Sequence, residues 1–192
     1  MAYIGKSIPR VDVKDKATGR ALYPGDFNLP EQVYMKILFA GRPHAIVKEI
    51  NTAEAEAMDG VLTVLTAKDV PVNEYGLIDS DQPVLCGPGS EKPFTDRVRF
   101  VGDQVAVVIA ETEKIAEQAR EKIKVTYEDL PVVTSIEQAQ GEDAALLHPE
   151  RGSNNFCHYQ IRKGDVDEAF EKCDVIVEGE YRTPVQEHAF LQ

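Results

Sequence analysis

Gln186, Glu187 and His188 stand side by side in the stretch "RTPVQEHAFLQ", residues 182–192. A carboxylate next to an imidazole is the material of general acid–base catalysis. On an extended strand, however, neighbouring side chains point to opposite faces. Gln186 and His188 would share one face and Glu187 the other, so Glu187 and His188 could not act together on one atom. A stand-alone hydrolase built on this pair would also need a nucleophile and an oxyanion arrangement, and no pattern supplies them. The residues themselves read as a polar strand end at an interface.

The remaining candidates are weaker. "GPGS", residues 87–90, lacks the GxxxxGK[ST] pattern of a phosphate-cradling loop and reads as a turn. In "FVGDQVAVVIAETEKIAEQA" Gly102 precedes the apolar strand, and no GxGxxG opens the helix, so a dinucleotide site is not expected. His44, His148, His158 and His188 show no HxH, HExxH or Cys/His spacing; structural roles are expected and no metal site. Cys86, Cys157 and Cys173 are odd in number with no CxxC, which argues against a disulfide framework and fits a reducing cytoplasm. The net charge of −12 lacks the basic footprint that nucleic acid or a polybasic membrane anchor requires, though it could orient a basic partner subunit. No apolar run approaches the ~20 residues of a membrane span. "MAYIGKSIPR" has no apolar segment of the secretory kind.

The elements that must position these residues follow from periodicity. Residues 1–31 are punctuated by Gly5, Pro9, Gly19, Pro24, Gly25 and Pro30, and predict an extended, loop-rich lead-in. "VYMKILFA" and "AIVKEI" predict strands, separated by the breakers Gly41 and Pro43. Asn51 with Glu54 approximates a capping box for a short helix that Gly60 ends, and "VLTVLT" predicts a buried strand. Residues 69–97 hold four prolines and predict a long excursion, which in a compact domain is usually functional or a partner contact. "VRFVGDQVAVVIA" predicts two short strands around Gly102. "ETEKIAEQAREKI" predicts a helix with Ile115, Ala116, Ala119 and Ile123 on one stripe, and "KVTYE" a returning strand. The strand–helix–strand order thus occurs twice, a weak internal echo. Ser135 and Gln138 have capping-box spacing, residues 140–163 read as a linker, and Asp165 with Glu168 caps a last helix bearing Val166, Ala169, Phe170 and Cys173 on one face. "DVIVEGEYRTP" predicts a final strand. The expected domains are residues 1–140 and a connector-led unit, 141–192.

Four of these segments, in this order, carry a resemblance: "GKSIPRVDVKDKATGRALYPGDF", "RPHAIVKEINTAEAEAMDGVLTVLTAKDV", "DRVRFVGDQVAVVIAETEKIAEQAREKIKVTYEDLP" and "GDVDEAFEKCDVIVEGEYRTPVQEHAFLQ". Together they resemble the N-terminal part of the molybdenum-binding subunit of the xanthine dehydrogenase and aldehyde oxidase-type molybdenum hydroxylases. The resemblance implies an α+β fold: a lead-in plus α/β hammerhead domain over residues 1–140, then a connector and the start of the molybdenum cofactor-binding region over 141–192. It implies an oxidoreductase that hydroxylates an aldehyde, purine or N-heterocycle at a molybdenum–molybdopterin cofactor. Electrons would pass to iron–sulfur clusters and FAD in partner components. The partners implied are the remaining molybdenum-binding domains, an iron–sulfur subunit and often a flavin subunit.

The sequence departs from the family in having no "GGGFG"-type segment and no later region to supply the family's glutamate base, so Glu187 does not inherit that role. What carries over is that Gln186, Glu187, His188 and Phe190 match the segment leading into the cofactor domains. They are expected close to the cofactor, with no direct contact assigned. No catalytic residue, bound cofactor or metal is expected in this chain alone, which should be folded and catalytically silent, as a fragment or the product of a split gene. The competing expectation is a non-catalytic interaction module or split subunit that docks an electron-transfer or cofactor-bearing partner through the Asp69–Arg97 excursion.

Overall fold

The computed structural model describes residues 4–188, and its contacts divide the chain into two units, one ending at Asn154 and one beginning at Asn155. The first unit opens with a five-residue helix α1 (Val13–Ala17) and a 3-10 turn (Pro24–Asp26). The helix is a local addition to the lead-in expected to be extended, and it buries no residue.

Six strands follow: β1 (Tyr34–Phe39), β2 (Ala45–Asn51), β3 (Val61–Leu65), β4 (Arg97–Val98), β5 (Gln104–Ala110) and β6 (Lys124–Asp129). They form two antiparallel sheets, ordered β1-β5-β3 and β4-β2-β6. β5 is hydrogen-bonded on both sides, and Val105, Ala106, Val108 and Ala110 on it are fully buried. A strand at a sheet's centre needs such an apolar run. β3 pairs only with β5 and is an edge strand; Val64 is buried but Leu62 is half exposed. The apolar run "VLTVLT" therefore does not mark a strand buried on both faces, because composition alone cannot separate a central strand from an edge.

The twofold echo has a structural meaning. The first strand–helix–strand unit is β2, α2 (Ala53–Glu56) and β3; the second is β5, α3 (Glu113–Lys122) and β6. The first strand of each unit pairs with the last strand of the other, β2 with β6 and β5 with β3, both antiparallel, while α2 packs on α3. Each unit thus crosses from one sheet to the other. Ile50 and Val125, directly opposed on β2 and β6, belong to both hydrophobic clusters and join them.

Helix α3 forms where its stripe predicts. Thr112 Oγ1 accepts from the Ile115 amide at 3.2 Å, and Ala116 and Ala119 are fully buried. Small residues there let the helix lie close against the sheet. Gly60, at φ +83°, takes the left-handed backbone that favours glycine, and it lies against the Ile115 side chain of α3. Asn51 Oδ1 accepts from the Ala53 amide at 3.1 Å, but Glu54 turns outward to pair with Lys124 rather than closing a capping box.

After β6 come the short helix α4 (Ile136–Gln140), capped by Ser135 as its spacing predicts, and a half-buried stretch over residues 144–149. The second unit contains α5 (Val166–Glu171), capped by Asp165 Oδ1 accepting from Glu168 N at 3.0 Å. The strand expected over "DVIVEGEYRTP" is not formed: residues 174–184 join no ladder, and Val175, Ile176 and Val177 are exposed. The β-branched run is present, but a strand needs a partner, and no strand among the described residues pairs with this stretch. No helix among the described residues is long and apolar enough to cross a membrane.

Candidate functional site

Polar groups converge where β4 meets the stretch that follows α4. Arg97 and Arg99 lie on and just past β4, alternate residues of the extended chain. Arg97 Nη1 is 3.2 Å from His44 Nε2 and donates to the Leu146 carbonyl at 3.4 Å. Arg99 Nε donates to the Leu147 carbonyl at 2.8 Å, and its Nη2 lies 3.9 Å from Glu150. Burial holds the Arg99 guanidinium below its ordinary pKa, against the pull of Glu150 and Asp103. Asp103 Oδ2 accepts from the backbone amides of Arg99 at 2.6 Å and Phe100 at 3.3 Å, fixing the turn between β4 and β5. Burial nevertheless pushes this carboxyl above the usual range. Glu150 is opposed by burial but falls below its ordinary value, through backbone hydrogen bonding and then His148, 3.1 Å away.

Asn154 closes the arrangement. Its Oδ1 accepts from Leu147 N at 3.0 Å, and its Nδ2 donates to the carbonyls of Ala139 at 3.1 Å and Ala145 at 3.0 Å. Backbone atoms without a sheet or helix partner are thus satisfied by side chains.

The excursion between β3 and β4 is fixed in a similar way. The buried Asn73 side chain bonds both ways to Leu85, with Nδ2 to the carbonyl at 2.8 Å and Oδ1 from the amide at 2.9 Å. Tyr75 and Gln82 form an isolated antiparallel bridge. Lys92 pairs with Glu74 and also donates to the Ser80 carbonyl, and Arg151 reaches Asp79 at 3.0 Å. Gly89, in "GPGS", has φ +94°, as a turn glycine does, and no helix follows it. The excursion is irregular yet held at several points.

The residues singled out by sequence lie elsewhere. Gln186, Glu187 and His188 are exposed in the second unit. Glu187 Oε1 accepts from the His188 backbone amide at 3.1 Å, not from its ring, and Gln186 Nε2 donates to the Glu187 carbonyl at 3.2 Å. These are local backbone contacts, and the three side chains do not converge on a common point. Phe190 lies outside the described residues. No group of acidic, histidine or cysteine side chains among the described residues is arranged to hold a metal ion. Sequence reasoning misses the network of His44, Arg97, Arg99 and Asn154. It reaches His44 only as a lone histidine, and nothing in the spacing announces partners 53 and 87 residues away.

Comparison with known proteins places these observations. The aldehyde oxidase and xanthine dehydrogenase a/b hammerhead domain matches residues 18–131, and the molybdopterin cofactor-binding domain matches residues 147–192. The chain is 41% identical over 185 residues to a probable xanthine dehydrogenase subunit of Bacillus subtilis (strain 168), covering 95% of this chain and 23% of that protein. It is 33% identical to the nicotinate dehydrogenase large molybdopterin subunit of Eubacterium barkeri, covering 98% of this chain and 42% of that one. The chain therefore spans less than half the length of these relatives. Among solved structures, a Cu,Mo-CO dehydrogenase in its carbon monoxide reduced state superposes with a TM-score of 0.72 at 29% identity, over 89% of this chain and 23% of that one. The aldehyde oxidoreductase of Desulfovibrio gigas superposes with a TM-score of 0.62 at 34% identity, over 73% and 16%. The two crossed strand–helix–strand units are the hammerhead domain, and the chain belongs to the aldehyde oxidase and xanthine dehydrogenase family of molybdenum oxidoreductases.

Proposed function

We propose that this chain is the hammerhead-bearing, N-terminal portion of a molybdenum hydroxylase, and that its task is to carry and orient the cofactor-binding region rather than to supply a reacting group. The observation that carries this reading is the order of the two matches, the hammerhead domain over residues 18–131 and the cofactor-binding domain from residue 147, joined by the stretch that Arg97, Arg99 and Asn154 hold. The cofactor of the assembled enzyme is molybdenum–molybdopterin, and its reaction is oxidative hydroxylation of an aldehyde, a purine or an N-heterocycle. Electrons leave through iron–sulfur and flavin components. Gln186, Glu187, His188 and Phe190 lie on the approach to the cofactor region and act by packing against it. Residues 1–140 form the lead-in and hammerhead domain, and residues 141–192 the connector and the first part of the cofactor-binding domain. The unpaired cysteines fit a cytoplasmic protein.

The test is reconstitution. The chain is purified alone, and also co-expressed with the remaining cofactor-binding polypeptide and its iron–sulfur partner. Molybdenum is measured by elemental analysis, and turnover by reduction of an artificial acceptor with a panel of aldehydes and purines. The assembly is expected to carry molybdenum and turn over, while the chain alone does neither. Stoichiometric molybdenum on the chain alone would overturn the carrier role, as would an assembly that is equally active without it.

A further inference from the structure

The excursion between β3 and β4 carries a loop, residues 76–81, that is pinned at several points. Tyr75 and Gln82 close its base, the Tyr75 amide donating to Gln82 at 2.8 Å and the Gln82 amide to Tyr75 at 3.1 Å. Within the loop the Asp81 amide donates to the Asp79 carbonyl at 3.0 Å. Gly76 lies so close to that carbonyl that an added Cβ would stand 1.7 Å from its oxygen, and no side chain fits there without moving backbone. Lys92 donates to the Ser80 carbonyl while it pairs with Glu74. Arg151 Nη2 reaches Asp79 at 3.0 Å and Asp81 at 3.8 Å. The two apolar side chains of the loop take no part in this: Leu77 is fully exposed and Ile78 is 84% exposed, with Val72 and Tyr75 of the same excursion also exposed. Apolar side chains left in water add nothing to the core, so the pinning does not serve their burial. It does fix the loop in advance, which lowers the ordering cost of docking.

We propose that Leu77 and Ile78 form a preformed plug that seats in an apolar recess, rimmed by lysine or arginine, on the remaining cofactor-binding polypeptide of the assembled enzyme. Two observations choose that occupant. Arg151, the cation that clamps Asp79 and Asp81, lies inside the cofactor-binding match that begins at residue 147, so the loop is tied to the first residues of that domain. The charge around the plug is acidic: Glu74, Asp79, Asp81 and Glu91 stand against Lys92 and Arg151. Glu91 borders the recess that Glu74 and Lys92 also line, and it forms no ion pair among the described residues. An acidic rim around an apolar centre is complemented by a basic rim around an apolar recess. The inference rests on the proposed function above, in which this chain carries and orients the cofactor-binding region.

Calorimetric titration of the chain with the remaining cofactor-binding polypeptide tests this. The double variant Leu77→Asp, Ile78→Asp should keep the urea midpoint of the unaltered chain, because both positions are exposed, and should bind at least about tenfold more weakly. Glu91→Lys should slow association and flatten its dependence on salt. Hydroxyl-radical footprinting of the unaltered chain should show Leu77 and Ile78 protected in the complex and reactive in the free chain. A complex that tolerates the double variant, or leaves both residues reactive, overturns the plug alone. No complex with the unaltered chain overturns the proposed function as well. Protection by the iron–sulfur component alone, or by raising the concentration of this chain alone, assigns the loop to another occupant and overturns the proposal. If the double variant lowers the urea midpoint, the footprint of the unaltered chain decides.

Discussion

Cys86 shows how burial disarms a reactive residue. Its thiol lies in the cluster with Ala45, Val47, Val98 and Val105, and burial, then the nearby Asp103 carboxylate, pushes its pKa up to about 12. The thiolate is the nucleophile, so Cys86 should resist alkylation. Of the three cysteines, Cys157 and Cys173 are exposed. Iodoacetamide at about pH 8, followed by mass spectrometry, should modify those two and leave Cys86 free until the chain is unfolded. Rapid modification of Cys86 in the native chain would show that the first cluster opens readily. The same residue marks the limit of sequence reading. The odd count and absent CxxC speak against disulfides and zinc, but only the fold distinguishes the buried thiol from the others. Glu187 and His188 show the converse: adjacency suggests a catalytic pair, and the structure gives the carboxylate a backbone amide instead. His44, by contrast, depends on Pro131 and Arg97, distant positions that no local pattern connects.

At the level of elements, the legible parts were those whose signal is local. Helix α3 carries its whole argument within itself: the Thr112 cap, the Ala116 and Ala119 face and the break at Ile123. Its cap can be tested directly. Thr112→Ala removes the side-chain acceptor for Ile115 N and should destabilise the first unit by about 1 kcal/mol, read as a lower urea midpoint at unchanged slope. An unshifted midpoint would mean that the α3 N-terminus frays without consequence for the core. Strands were legible as strands but not as neighbours. β4 and β5 flank one glycine, yet they join different sheets, and Asp103 fixes the turn between them. The internal echo was visible, whereas the exchange of strands that explains it depends on pairings between β2 and β6 and between β3 and β5. The stretch over residues 174–184 failed for the same reason in reverse, since its β-branched residues supply propensity and not a partner edge.

At the scale of the whole molecule, the apolar surface is unevenly spent. Both hydrophobic clusters lie within the first unit, between Leu38 and Tyr127. In the second unit Phe156, Tyr159, Ile161, Val166, Phe170, Val175, Val177, Tyr181 and Val185 are all exposed. Exposed apolar residues in such number contribute little burial to the second unit. The relatives are more than twice as long as this chain. Burial sets stability, so removing a unit that buries little should cost little. A chain ended after Asn154 keeps both clusters and the Asn154 hydrogen bonds to Ala139, Ala145 and Leu147. Its unfolding free energy in urea should match that of the longer chain within about 0.5 kcal/mol. Its slope should change little, because the slope follows the surface exposed on unfolding. Binding of a hydrophobic dye should fall on truncation, since the exposed residues leave with the second unit. A midpoint lowered by more than about 1 kcal/mol equivalent would show that residues 155–192 stabilise the hammerhead domain directly. Equal dye binding by both chains would place the accessible apolar surface on the first unit, and would point to the outer face of the β1-β5-β3 sheet, where Met35 and Phe39 are exposed.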